Sequence, residues 1–300
     1  MKPSILIAAI ATIALSCSTT KPTTPFVKQS FELQGHRGCR GLMPENTIDA
    51  MIKAIDLGVT TLEMDLHVSK DNYVVVSHDP YFNENITTTP EGKYLEKGEG
   101  PKRLLYQMNY DSIMKYDVGM KPHPDFPHQQ KIEAFKPMLV ELLYATESYA
   151  KEKGKSMLYN IEIKSKPAGD GKKHPPVETF VDLAMDAINA EGITERTTIQ
   201  SFDPRALKVM HRKYPTVSTS LLIEGDDKRT LSEQLKELGF TPNIYSPHYS
   251  LVTPELLKTC HDKNIRVIPW TVNKLEDMKR LKEMGVDGLI SDYPDLYSKL

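Results

Sequence analysis

Apolar residues along this chain fall into short β-like runs that alternate with longer stretches of helical periodicity. The runs at 31–35, 60–65, 157–163, 197–202, 217–223, 243–247, 265–272 and 286–291 read as strands. Between them, 48–57 carries an apolar stripe of Ile48, Met51, Ile52 and Ile55; Asn46 or Thr47 can cap it and Gly58 can end it. The stretch 138–153 shows the same period through Leu139, Leu142, Leu143 and Tyr149, and further helices are expected over 177–190, 231–238, 254–261 and 275–284. Asp203-Pro204 opens one more, with Asp as cap and Pro in the first turn. Eight strands joined by helices are the tally of an α/β chain folded as a (β/α)8 TIM barrel.

Two segments depart from the alternation. Asp71-Asn72 is turn-prone between the extended runs 66–68 and 73–76, which predicts an extra hairpin; centred there, it sets Asp65 opposite His78. After it, 81–137 is rich in Pro, Gly, Lys and Tyr without a clear period. It reads as a long insertion after the second strand (80–137 in all), lying over one end of the barrel with short helices near 104–116.

Composition changes the picture at the N-terminus. The chain has 300 residues, 39% hydrophobic and 26% charged, enough for one barrel domain over 31–300. A formal net charge of -2 and the lack of a long basic run argue against nucleic-acid binding. Lys2 precedes an uncharged stretch at 5–15, of signal-peptide length and too short to span a bilayer. The sequence Ile13-Ala14-Leu15-Ser16-Cys17 resembles a bacterial lipobox. That resemblance implies a lipoprotein signal peptide at 1–17, lipidation of Cys17 and a Thr-, Pro- and Lys-rich linker at 18–30. The expected protein is exported and anchored in a bacterial membrane, periplasmic or at the outer membrane, touching lipid only through its anchor. Cys39 and Cys260 are too few for a disulfide framework, and Cys39, three residues from His36, is a candidate site for chemical labelling.

Chemistry concentrates between Gly35 and Pro80, in His36-Arg37, Glu45-Asn46, Glu63-Met64-Asp65 and His78-Asp79. Residues two apart in a strand share a face, so Glu63 and Asp65 project together while Leu62, Met64 and Leu66 take the other side. Two carboxylates held that close call for a cation. All-oxygen donors favour a hard one, Ca²⁺ or Mg²⁺, over zinc. The clusters fall at or near strand C-termini, where TIM barrels build active sites.

The order and spacing of these clusters resemble those of the glycerophosphodiester phosphodiesterases. The likeness continues through Asn160-Ile161-Glu162-Ile163-Lys164, Gln200-Ser201-Phe202-Asp203, Trp270-Thr271-Val272-Asn273 and the closing GVDGLISDYP at 285–294. It implies metal-dependent cleavage of a glycerophosphodiester, a small-molecule substrate, to glycerol 3-phosphate and an alcohol. By that likeness Glu63, Asp65 and Glu162 would hold one divalent cation (Ca²⁺ or Mg²⁺, with Mn²⁺ also admissible). Arg37 and Lys164 would contact the phosphate, and His36 and His78 would share acid and base duty. Trp270 is either a wall for the glycerol group or barrel core. Glu45 is expected to partner Arg37, Asn46 to cap or support, and Asp79 to orient a neighbour. The attacking group is water or the substrate's own hydroxyl. Two other functions are open: a phospholipase C- or D-like barrel acting on intact lipid, which would want an apolar rim such as Tyr81-Phe82, and a non-catalytic surface lipoprotein that keeps the barrel for binding.

Overall fold

The structure, a computed structural model, describes residues 30–300; the leader, Cys17 and nearly all of the linker lie outside the described residues. In chain order the elements are β1 (Glu32–Gly35), α1 (Ile48–Asp56), β2 (Thr61–Val68), β3 (Val74–Val76), α2 (Tyr110–Ile113), α3 (Leu139–Glu152), β4 (Leu158–Ile163), α4 (Val177–Ala190) and β5 (Thr197–Ser201). They continue with α5 (Pro204–Lys213), β6 (Ser218–Ile223), α6 (Leu231–Leu238), β7 (Ile244–Pro247), α7 (Pro254–His261), β8 (Arg266–Val267), α8 (Leu275–Met284) and β9 (Gly288–Ser291).

The parallel strands pair in the order β8-β7-β6-β5-β4-β2-β1-β9, with β3 antiparallel on β2. Backbone bonds from Asp287 N to Val267 O and from Val272 N to Ile290 O, both 2.9 Å, join the two ends. The result is the expected α/β barrel of eight parallel strands with one extra hairpin strand.

Each element follows from its sequence. Thr47, not Asn46, caps α1: its Oγ1 accepts from Ala50 N at 3.1 Å and donates to Pro44 O, while Asn46 takes a left-handed conformation that frees its side chain for the site. Met51 and Ile55 of α1 bury into the same apolar layer as Leu62, Met64 and Leu66 of β2 and Leu142 and Leu143 of α3. The alternate residues of β2 therefore face the lumen, and the whole strand is buried.

Three expectations need correction. The hairpin pairs Leu66 with Val76 and Val68 with Val74, so Asp65 lies opposite Ser77 and His78 is one residue beyond. The cause is a loop of three residues rather than two. Ser69 N bonds to Tyr73 O, Ser69 Oγ donates to Asp71 Oδ1, and Asn72 adopts φ +66, as three-residue hairpin loops require.

The strand expected at 265–272 forms only at Arg266–Val267, since Pro269 has no N–H for the ladder; Trp270 then makes an isolated bridge to His248.

The insertion, thirdly, has a core of its own. Phe82, Leu95, Leu105, Ile113 and Val118 bury together with Val75 of the hairpin, and Phe82 stacks on Tyr116 at 4.0 Å. Phe82 is therefore no exposed membrane rim.

Candidate active site

The lumen has two unlike halves. On the side of β1, β2, β4 and β5 a polar layer is bonded across the strands: Asn160 Nδ2 donates to Gln34 Oε1 at 2.8 Å and to Gln200 Oε1 at 3.0 Å. Gln200 Nε2 in turn donates to Glu63 Oε1 at 2.8 Å. On the side of β7, β8 and β9 Ile244, Ile268 and Ile290 cluster with Trp270 packed on them, while Arg266 at the start of β8 ion-pairs with Glu32 at the start of β1. Above both halves, at the strand C-termini, opens a cavity of about 560 Å³ whose walls include His36, Arg37, His78, Lys164, Phe202 and Trp270.

Glu63, Asp65 and Glu162 converge at its floor. Pairing of β2 with β4 sets Asp65 beside Glu162 in register, and one oxygen from each of the three carboxylates lies within 4.8 Å of the others. Their exposures of 1%, 1% and 5% deny them the water that would otherwise disperse the charge.

Arg37 and Lys164 are the nearby cations, with Arg37 Nε 3.3 Å from Asp65 and Lys164 Nζ 3.1 Å from Glu162 and 3.6 Å from Asp65. Three carboxylates against two cations leave one negative charge over. Burial and the Asp65 charge accordingly push Glu63 well above the usual carboxylate range. Burial, with Asp65 and against Lys164, pushes Glu162 up to about 7. Asp65 stays well below its ordinary value: burial would raise it, but Lys164 and Arg37 outweigh burial. An all-oxygen donor set with charge to spare and fixed orientations fits a hard divalent cation. Glu63 is oriented on both oxygens, by Gln200 and by Arg37 N at 2.7 Å, and Asp65 Oδ2 by Asn46 Nδ2 at 2.8 Å.

The loop after β1 makes this possible by an unusual path. Arg37 sits at φ +50 and Gly38 at φ +86, and a Cβ on Gly38 would lie 2.7 Å from the Ala50 backbone, so the loop can close down on α1 only with glycine there. The turn aims Arg37 N at Glu63 and its guanidinium at Glu45, whose two oxygens each lie 3.0 Å from Nη1. Burial would raise the Glu45 carboxyl, but Arg37 and Arg40 hold it at about 2. Glu45 and Asn46 thus hold Arg37 and Asp65 respectively.

The two histidines face the cavity with carboxylates behind them. His36 Nδ1 is 2.6 Å from Asp292 Oδ1, and Asn273 Nδ2 donates to the other Asp292 oxygen at 2.7 Å. Burial would raise Asp292, but His36 and Arg40 hold it at about 2. His78 Nδ1 is 3.2 Å from Asp79 Oδ1, with Asn83 Nδ2 on Asp79 Oδ2. Burial first, then Arg37, lowers the His78 pKa, which favours the neutral imidazole. In both pairs the bonded Nδ1 leaves Nε2 for a ligand.

Trp270 lines the cavity with its indole fixed by Nε1 to Ser246 O at 3.0 Å and its ring edge-on to Phe202 at 5.4 Å. Ser201 Oγ donates to Ile163 O and has no role at the cavity. Cys39 is fully buried, with Sγ on Ala50 O and its thiol pushed up by burial to about 12, so it is no labelling site.

All the site residues expected at the barrel meet at this one cavity or support it. Sequence reasoning missed Asp292, which stands directly after β9 inside the closing segment, and Lys136 at the end of the insertion. His67 follows Asp65 by one period on the lumen face, so β-strand alternation points to it; it is buried, with Nε2 3.1 Å from His78 O, and burial drops its pKa to about 3.

Comparison with known proteins places this arrangement. A glycerophosphodiester phosphodiesterase of Caldanaerobacter subterraneus subsp. tengcongensis is 30% identical over 260 residues, 87% of this chain and 93% of its own. One from Bacillus subtilis is 27% identical over 267 residues, 88% of this chain and 84% of its own. A crystal structure from Silicibacter pomeroyi DSS-3, assigned to the glycerophosphoryl diester phosphodiesterases, superposes with a TM-score of 0.79 at 29% identity, covering 92% of this chain and 96% of that one. An Oleispira antarctica phosphodiesterase, solved with its product sn-glycerol-3-phosphate, shares the fold with a TM-score of 0.70 at 19% identity, covering 89% and 95%. The model of the glycerophosphoryl diester phosphodiesterase family matches residues 36–296, beginning at His36 and running past Asp292, and this chain belongs to that family.

Proposed function

We propose that the chain hydrolyses glycerophosphodiesters to glycerol 3-phosphate and an alcohol, with one divalent cation held by Glu63, Asp65 and Glu162. The observation that carries this reading is the meeting of two carboxylate-backed imidazoles with a buried three-carboxylate cluster at one cavity. A cation bound there supplies Lewis-acid charge neutralisation at a phosphoryl oxygen.

The chain's own residues do the rest. Arg37 and Lys164 line the same floor and contribute positive charge to an anionic phosphodiester, Arg37 through its fork and Lys164 as a point charge. His36 and His78 take and give the two protons that cleavage requires, one from the attacking hydroxyl and one to the leaving oxygen, each through Nε2. Asp292 and Asp79 fix the tautomers that leave those nitrogens free. Trp270 and Phe202 offer an apolar wall to the uncharged part of the substrate. The attacking hydroxyl is that of water or of the glycerol itself.

Ca²⁺, Mg²⁺ and Mn²⁺ all suit three carboxylates. The reading extends to 31–300 as the catalytic domain, with 80–137 inserted in it, and to export and anchoring through Cys17, which would present the cavity to substrates outside the cytoplasm.

The test is to incubate the protein with glycerophosphocholine, glycerophosphoethanolamine, glycerophosphoglycerol and glycerophosphoinositol, each with Ca²⁺, Mg²⁺ or Mn²⁺, and to measure glycerol 3-phosphate. Release from at least one with at least one cation is expected. No release from any, with cleavage of intact lysophospholipid instead, would overturn the reading.

A further inference from the structure

Lys136 is the one buried lysine whose position the reaction outlined above does not use, among the described residues. It lies at the end of the insertion, just before Pro137, whose carbonyl accepts from Val76 N as the chain returns to the barrel. The residue is 6% exposed, and its ammonium forms no ion pair among the described residues. Its one hydrogen bond is to Ser77 Oγ at 2.8 Å, with the Phe82 ring 5.6 Å away.

A cation buried without a counter-ion is costly. Burial accordingly pulls the Lys136 pKa below the ordinary lysine value, against the attraction of Asp79, Glu45 and Asp65. A methionine would fill similar space at no desolvation cost, so stability does not account for the charge.

Ser77 is the residue through which the ammonium acts. Its N donates to Asp65 O at 2.9 Å, and its hydroxyl donates to Asp79 O at 2.8 Å while accepting from Lys136. Accepting from a cation leaves the hydroxyl proton with one direction to point, toward Asp79 O. That carbonyl belongs to the residue whose carboxylate faces His78 Nδ1. Asp79 itself lies below the usual carboxylate range: burial would raise it, but its bond to His78, the charge of His78 and that of Lys136 outweigh burial. On the other flank of the turn His67 Nε2 donates to His78 O.

We propose that Lys136 is a positioning residue for catalysis: from the insertion it locks the Ser77 hydroxyl onto Asp79 O and so fixes the turn that aims the His78 imidazole into the cavity. The inserted segment thereby becomes a working part of the site and not only a cover over it. This rests on the reading of His78 as an acid or base.

The experiment compares full-length wild type, Lys136→Met, Ser77→Ala and the double variant, with whichever of the four glycerophosphodiesters and three cations above gives wild type its fastest release, the cation saturating, reading kcat, KM and Tm. Lys136→Met is expected to melt no lower than wild type while kcat falls about 10-fold, the scale of losing a group that orients a site residue, with KM within about twofold. Ser77→Ala is expected to lose kcat similarly, and the double variant to be no worse than the stronger single one, since both remove the same linkage. If Lys136→Met fails to fold, Ser77→Ala still carries the test through its kcat loss at constant KM. Wild-type kcat in Lys136→Met or in Ser77→Ala, or fully additive losses, would overturn the proposal. Wild type that releases no glycerol 3-phosphate from any of the four glycerophosphodiesters with any of the three cations would instead overturn the reading beneath it.

Discussion

The two walls of the barrel lumen are built from the same strand geometry and do opposite work. On β1, β2, β4 and β5 the inward positions include Gln34, Glu63, Asp65, Asn160, Glu162 and Gln200, tied into one network in which each carboxylate has assigned donors. Across the lumen Ile244, Ile268 and Ile290 lie beneath Trp270, and the one charge from these strands, Arg266 at the start of β8, is paired with Glu32 at the start of β1. The carboxylate cluster therefore stands on one wall. The other wall holds the dielectric low and leaves the anion one place to bind.

The polar wall is most sensitive at Glu63. Glu63→Gln keeps the shape and one bond to Arg37 N but removes a cation donor; turnover is expected to fall about 10⁴-fold, the several kcal/mol that a bound cation supplies. Cation-dependent thermal stabilisation should vanish with it. His36→Ala should lower kcat about 10³-fold, within the range of acid-base catalysis, while the cation still raises Tm as in wild type. Asp292→Asn should cost about 10–100-fold, because it leaves the imidazole in place but loses its orientation.

Asp292 carries a pH signature as well. Its folded pKa of about 2 is depressed from the ordinary 3.8, so its contribution to stability is present above 3.8 and lost as pH falls toward 2. The stability gap between wild type and Asp292→Asn should close over that interval in acid-unfolding curves. The apolar wall should respond least: Ile290→Val is expected to cost about 0.5–1.5 kcal/mol of stability by denaturant titration, with kcat within about threefold.

How much of this was legible in the sequence depended on whether the signal was local. The carboxylate pair on β2 could be read because strand alternation puts residues 63 and 65 on one face whatever the surrounding fold does. Helices α4, α6, α7 and α8 were read to the residue because caps and apolar stripes are local too. The register of the hairpin was not, because a left-handed Asn72 turned a two-residue loop into a three-residue one and shifted every pair. Asp292 was missed since its partner His36 is 256 residues away, and nothing within a ten-residue window marks such a pair. Lys136 was hidden for a similar reason. A lysine in a Lys- and Pro-rich insertion reads as solvated until the insertion is seen to fold back on Ser77.

Whether Glu63, Asp65 and Glu162 hold a catalytic cation is tested by titrating chelated protein with a divalent cation, following Tm and glycerol 3-phosphate release from glycerophosphocholine on the same samples. Chelation is expected to abolish turnover. Tm and activity should then rise together with one half-saturating concentration, and the stabilisation should reach about 2.7 kcal/mol at a hundredfold excess over Kd. Full turnover in the presence of chelator, with no shift in Tm on adding Ca²⁺, Mg²⁺ or Mn²⁺, would contradict it.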